Sequence, residues 1–172
     1  MDFLPIVDGR SCGTCTKCCE GHLRADIKLS DGRTSWIGQE EDTGNFHPCG
    51  FLKKGEGCGA YKERPVNPCA LFKCDWLTDA SMPESFKPER SNSIFSTRTI
   101  KGIEYTMLIE AGRKLDSEVL SWAIEKHLSE GTNFAWRVLG NIFWIGSEEF
   151  NNMMAEDYPL LTQGTSHGSD SH

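Results

Sequence analysis

The residues with the clearest chemistry are eight cysteines. Four fall in the run Cys12-Gly13-Thr14-Cys15-Thr16-Lys17-Cys18-Cys19, four follow at Cys49, Cys58, Cys69 and Cys74, and none stands after Cys74. Thiolates at short spacings are what a tetrahedral Zn²⁺ or an iron–sulfur cluster requires. Eight suit two four-ligand sites, or one site with structural thiols beside it. The simplest partition sets Cys12, Cys15, Cys18 and Cys19 against Cys49, Cys58, Cys69 and Cys74. Adjacent Cys18 and Cys19 argue against it, because neighbouring side chains diverge. One of the pair is therefore expected to join the later cysteines and knit the segment together. Zinc and an iron–sulfur cluster stand about even, since all-thiolate ligand sets serve both. The run Cys12-x2-Cys15-x2-Cys18 echoes a ferredoxin spacing, with Cys19 where none is usual. In a reducing compartment disulfides are the lesser reading of such a cluster.

The first run can be positioned in two ways. At 100° per residue the four cysteines share one arc of about 120°, with His22 inside it, so a helical turn could present all four sulfurs. A knuckle-like loop favoured by Gly13 could do the same. Residues 25–29 and 34–37 read as a strand pair around Ser30-Asp31-Gly32, with Trp36 packing inward. The Gly-rich stretch from Cys49 to Cys58 reads as a loop that brings those two cysteines together. Past Pro65 and Pro68, a short helix is expected to carry Cys69 to Trp76. Residues 78–92, with Pro83 and Pro88, read as a linker over the surface.

The second half differs in style. Residues 94–100 and 103–109 form an expected hairpin around Lys101-Gly102. A helix capped at Asp116 or Ser117 runs to Glu130 and closes at Gly131, with a stripe of Val119, Leu120, Ala123, Ile124 and Leu128. A second hairpin is expected around Gly140-Asn141, and a short helix over 148–156. The fold class is thus α+β: a small metal-nucleated cysteine-rich module packed on a small antiparallel sheet with one long helix. The module spans residues 1–92 and the α+β portion 93–161, with 162–172 a disordered tail. Large apolar residues are scattered between Gly9 and Asp75, so that segment needs a staple, and metal–thiolate bonds are the expected one.

Net charge is -7 over 172 residues. Residues 10–74 hold ten Lys and Arg against eight Asp and Glu, while the rest holds eight against 17. Surplus cations suit anionic metal–thiolate centres. The acidic total excludes a nucleic-acid partner. The chain's start has no basic, apolar leader, and the apolar run Ile142–Ile145 is far too short to span a bilayer. The expectation is a cytoplasmic protein with no membrane partner.

The remaining candidates carry weaker chemistry. Cys19 beside Glu20 and His22 is a lesser candidate nucleophile. His22 and His47 could add a metal ligand, though a surface or core role suits each better. His127 reads as structural, and His167 and His172 have no assigned role. Arg64 could clamp a carboxylate or phosphate, but bracing its loop through carbonyls or Asp75 is the commoner role. Trp122, Trp136 and Trp144 stand at core spacing.

These motifs carry a resemblance. Cys12-x2-Cys15-x2-Cys18-Cys19, then Cys49-x-Phe51-Leu52, then Cys58-x2-Tyr61-x2-Arg64-Pro65-x3-Cys69-x2-Phe72 resembles the CxxCxxCC cysteine-cluster family, over about residues 12–76. The three residues between Arg64-Pro65 and Cys69 are one more than is usual there. The resemblance implies chelation of zinc or iron by these cysteines. A larger relative, the flagellin lysine N-methylase, shares the cluster, so an iron–sulfur enzyme modifying protein side chains is the alternative to a closed structural site with a protein partner. No glycine-rich cofactor loop after a strand is visible for a methyl donor.

Overall fold

A computed structural model describes residues 5–158 except 41–42, 44, 54, 113 and 139–140. The expected tail and part of the turn at Gly140 lie outside the described residues. Short strands dominate the first half. Strands β1 (Ala25–Lys28), β2 (Thr34–Gln39) and β3 (Phe46–His47) form an antiparallel sheet in that order, and β4 (Leu52–Lys53) pairs with β5 (Gly57–Cys58). The turn 30–32 sits between β1 and β2 as expected, with Gly32 at φ +89°. Ile27 and Ile37 face inward, whereas Trp36 does not: it is 36% exposed and stacks on His47 at 4.1 Å. Strand alternation decides this, because Ile37 takes the inner face and its neighbour must take the outer one.

The cysteine run is neither a full helical turn nor an open loop. Only Lys17–Cys19 closes as a 3₁₀ turn. The short helix expected over Cys69–Trp76 divides in two. Val66–Ala70 forms a wide turn containing a cis Asn67–Pro68 bond, and helix α1 (Asp75–Thr78) begins directly after Cys74.

Residues 78–92 are not a surface linker. They include a 3₁₀ turn (Glu84–Phe86) and helix α2 (Pro88–Ser91), and they bury Met82, Phe86 and Pro88. Phe86 packs edge-on against Trp122 at 5.1 Å between ring centres. Arg10 holds this stretch from the far side, donating to the carbonyls of Trp76, Asp79 and Met82.

Strands β6 (Ser93–Ile100), β7 (Ile103–Glu110), β8 (Phe134–Val138) and β9 (Asn141–Ile145) form the larger sheet in sequence order. The hairpin turn uses Lys101 and Gly102, both at positive φ (52° and 82°), as a tight two-residue turn requires. The sheet is not antiparallel throughout: β7 and β8 run parallel, Leu108 opposite Trp136. Between them lies helix α3 (Ser117–Glu130), and a connection carrying a helix crosses over the sheet instead of reversing at its edge. Asp116 caps α3 by accepting from Glu118 N at 2.8 Å, and Gly131 closes it at φ +65°. Helix α4 (Glu148–Asp157) follows, capped by Ser147. The class is α+β with several small sheets and few helices. Among the described residues no helix is long and apolar enough to cross a membrane.

One core runs through both halves, joining Cys74, Trp76, Leu77, Met82 and Phe86 to Ile94, Phe95, Leu108 and Phe134. On α3 the buried positions are Val119, Ala123 and His127, while Leu128 is 64% exposed. His127 takes the place expected of an aliphatic residue by stacking on Phe134 at 4.6 Å and pairing its Nδ1 with Thr132 Oγ1 at 2.7 Å. Phe134→Ala should therefore cost about 3–5 kcal/mol. Leu128→Ala should stay within about 0.5 kcal/mol of wild type. Denaturant midpoints at equal slope test both, and a large loss at Leu128 would contradict this assignment of the core face.

Candidate metal centre

The eight cysteines come from five separate local structures. Cys12 and Cys15 share a tight turn, with Cys15 N donating to Cys12 O at 2.8 Å. Gly13, at φ +52°, permits that turn. Cys18 and Cys19 lie in the 3₁₀ turn that follows. Cys49 N donates to Cys19 O at 2.8 Å, which ties the second cysteine group to the first through the backbone. Gly21 permits this approach: a Cβ there would lie 2.9 Å from Gly38 O and 3.0 Å from His47 N. The β4–β5 hairpin sets Cys58 opposite Leu52, three residues past Cys49. Cys69 sits in the wide turn after Pro65, and Cys74 stands at the start of α1.

Cys74 is placed by its neighbour. Asp75 accepts from Thr97 N at 2.9 Å and from Thr97 Oγ1 at 3.0 Å, fastening α1 to β6. Burial pushes the Asp75 carboxyl above its ordinary range, and the Thr97 bonds oppose this. Helix α1 is thus a partition. Cys74, Trp76 and Leu77 line the thiol side, while Asp75, Thr78 and Asp79 line a separate open cleft beside α3.

All eight cysteines line one cavity of about 500 Å³. Their electrostatic neighbours divide them. Cys18 is raised first by burial and then by Cys74, Cys15, Cys19 and Cys12. Cys74 is pushed up to about 12 by burial, with Cys12 and Cys15 beside it. Cys19 is pushed up to about 12 by burial, with Cys49, Cys58 and Cys69 next. Burial, then Cys49 and Cys58, raise Cys69, while Arg64 opposes. The sets are Cys12, Cys15, Cys18, Cys74 and Cys19, Cys49, Cys58, Cys69, crossed by the pairs Cys18–Cys19 and Cys12–Cys19. Each set includes one exposed member, Cys12 and Cys58 respectively.

Among the described residues, no three His, Cys, Asp or Glu side chains stand close enough to hold a single ion. The thiols share the wall of the cavity with other residues, among them Arg24, Arg64, Lys87 and Arg98. Arg64 stacks over Tyr61 at 3.6 Å and, with Lys87, opposes the burial that raises Cys12. It does not pair with Asp75, which Thr97 holds. His22 and His47 are not among the residues lining the cavity. The His22 side chain is buried against Phe46 with Nε2 4.0 Å from Glu20, and His47 Nδ1 faces Trp36 O at 3.1 Å. Burial and Lys17 hold His22 below its ordinary value despite Glu20. Cys19 is likewise an unsuitable nucleophile, since a thiol pushed up to about 12 is seldom a thiolate near neutral pH.

Asp75, Arg10 and Trp76 position this site and were not singled out for it by spacing. The pattern Cys74-Asp75-Trp76 was the available signal for two of them. No protein-family model, curated protein or solved structure matches the chain.

The raised thiols set a pH dependence for the metal-free protein. An unfolded cysteine titrates near 9, while Cys19 and Cys74 hold their protons to about 12. Above pH 9 the unfolded state binds fewer protons, so stability falls as pH rises. The contribution is complete below pH 9 and declines between about 9 and 12. Denaturant midpoints of reduced, chelated protein should fall over pH 9–10.5, and the decline should be shallower in Cys74→Ala. Equal slopes in the two proteins would contradict the assignment.

Proposed function

We propose that this chain binds metal through two interleaved thiolate quartets, Cys12, Cys15, Cys18, Cys74 and Cys19, Cys49, Cys58, Cys69. The observation that carries the reading is that all eight cysteines, drawn from residues 12 to 74, line one cavity. Thiols buried for packing alone have no reason to converge from five local structures. The four cations on the wall suit the negative charge of metal–thiolate centres. The reading agrees with what the resemblance to the cysteine-cluster family implies.

The room in the cavity favours iron–sulfur clusters over single zinc ions. A zinc ion draws its sulfurs to about 2.3 Å of one point. The cavity that the thiols line measures about 500 Å³, room enough for a polynuclear cluster. A bound cluster would supply one-electron redox chemistry. The protein's part is to present four thiolates to each centre, to balance their charge with Arg24, Arg64, Lys87 and Arg98, and to shield the centre held by buried Cys74.

The metal is also the staple of the first half. Among the described residues, the core confined to that half contains four buried residues, Ile27, Leu29, Ile37 and Ala60. Metal binding therefore contributes directly to its folding. Protein purified without oxygen is expected to contain iron and acid-labile sulfide and to absorb broadly in the visible. Zinc in their place would move the reading to a closed structural site, and eight freely titrating thiols with no metal would overturn it. Removing the metal should expose residues 10–76 to protease while the β6–β9 sheet persists. Equal resistance before and after removal would contradict the staple.

A further inference from the structure

Among the described residues, the indole nitrogen of Trp76 is a buried donor with no hydrogen-bond partner. The residue is 3% exposed. A buried N–H without an acceptor is costly, and its survival in a folded protein calls for a physical reason. Trp76 lines the same cavity as the eight thiols, stands two residues after Cys74, and belongs to the core cluster against which Cys18 packs.

Its surroundings favour donation. Arg10 Cζ lies 4.8 Å from the ring centre and Lys87 Nζ 5.6 Å, both over the ring. Cations over an indole face are held by its electron density and draw that density away from the N–H, which makes it a better donor. Arg10 also fixes the backbone beneath the ring by donating to the carbonyls of Trp76 and of Asp79, the latter at 2.8 Å. The side chain is thus restrained in the wall of the cavity that the eight cysteines also line. Metal-bound sulfur carries negative charge and accepts N–H donors, and such outer bonds tune a metal centre.

We infer that Trp76 is a positioning residue whose indole N–H donates to sulfur at the centre held by Cys12, Cys15, Cys18 and Cys74. The inference rests on the metal–thiolate reading. Its consequence is specific: drawing charge from sulfur steadies the reduced form, so the N–H raises the reduction potential.

The test uses the full chain loaded with ferrous iron and sulfide without oxygen, as wild type and as Trp76→Phe. The expected result is equal iron and sulfide content with a reduction midpoint shifted to more negative potential in the variant. An unchanged midpoint overturns the inference while leaving the metal reading intact. Failure of the wild type to bind metal overturns both. If Trp76→Phe does not fold, Trp76→benzothienylalanine keeps the ring's shape and removes only the N–H, with the same expectations. If the wild type binds zinc instead, the comparison is zinc release to a chelator, where the variant should be about tenfold faster. Equal release rates overturn the inference.

Discussion

Two adjacent residues in a tight turn cannot send their side chains to the same place, and the first half of this protein is arranged around that constraint at Cys18 and Cys19. In the proposed arrangement Cys18 joins Cys12, Cys15 and Cys74, while Cys19 joins Cys49, Cys58 and Cys69. Neither set is contiguous in the chain. The first closes only when Cys74 returns from the end of the segment, and the second only when Cys19 leaves its own run. The backbone bond from Cys49 to Cys19 and the close approach at Gly21 serve this exchange. Under the proposed metal–thiolate reading, each centre would lock a loop between its first and last ligand. A segment with a small apolar core would then be cross-tied twice.

The second half supplies the rigid wall. Cys74 is the one cysteine that is buried, and it is held by elements that belong to the larger sheet. Asp75 binds Thr97 on β6, and Trp76 and Leu77 enter the shared core with Ile94 and Leu108. Residues 78–92 then pack Met82 and Phe86 beneath α3. The sheet therefore sets where one corner of the first thiol quartet stands. The remaining cysteines stand in short turns and short strands outside that sheet. Under the proposed reading, this division would make metal matter far more to one half than to the other.

Much of the second half was legible in the sequence because its signals are local. Lys101-Gly102 marks a hairpin, Asp116 and Gly131 bracket a helix, and both were placed by residue type alone. The parallel pairing of β7 with β8 was not, because it depends on how a helical crossover lies on the sheet. Trp36 was misread because size suggested burial where strand alternation decided the face. The stretch 78–92 was misread because its prolines suggested an exposed linker, while Met82 and Phe86 tied it to the core. At the thiol site residue type singled out all eight cysteines, which line one cavity, while the parting of Cys18 from Cys19 belongs to the proposal. Arg10 was invisible there, since nothing local links residue 10 to the carbonyls of residues 76–82. The orphaned indole of Trp76 required coordinates for the same reason.

Pairwise serine substitution tests whether the two proposed quartets interleave. Metal content is measured for Cys18→Ser, Cys19→Ser and the pairs Cys18→Ser/Cys74→Ser and Cys18→Ser/Cys19→Ser. Members of one centre act as a unit, so their losses do not add, whereas losses at separate centres do. The account predicts that Cys18→Ser/Cys74→Ser loses no more metal than Cys18→Ser alone, and that Cys18→Ser/Cys19→Ser empties both centres. The contradicting result is the reverse, with Cys18→Ser/Cys19→Ser sparing one centre and Cys18→Ser/Cys74→Ser emptying both, which would return the ligands to their order along the chain.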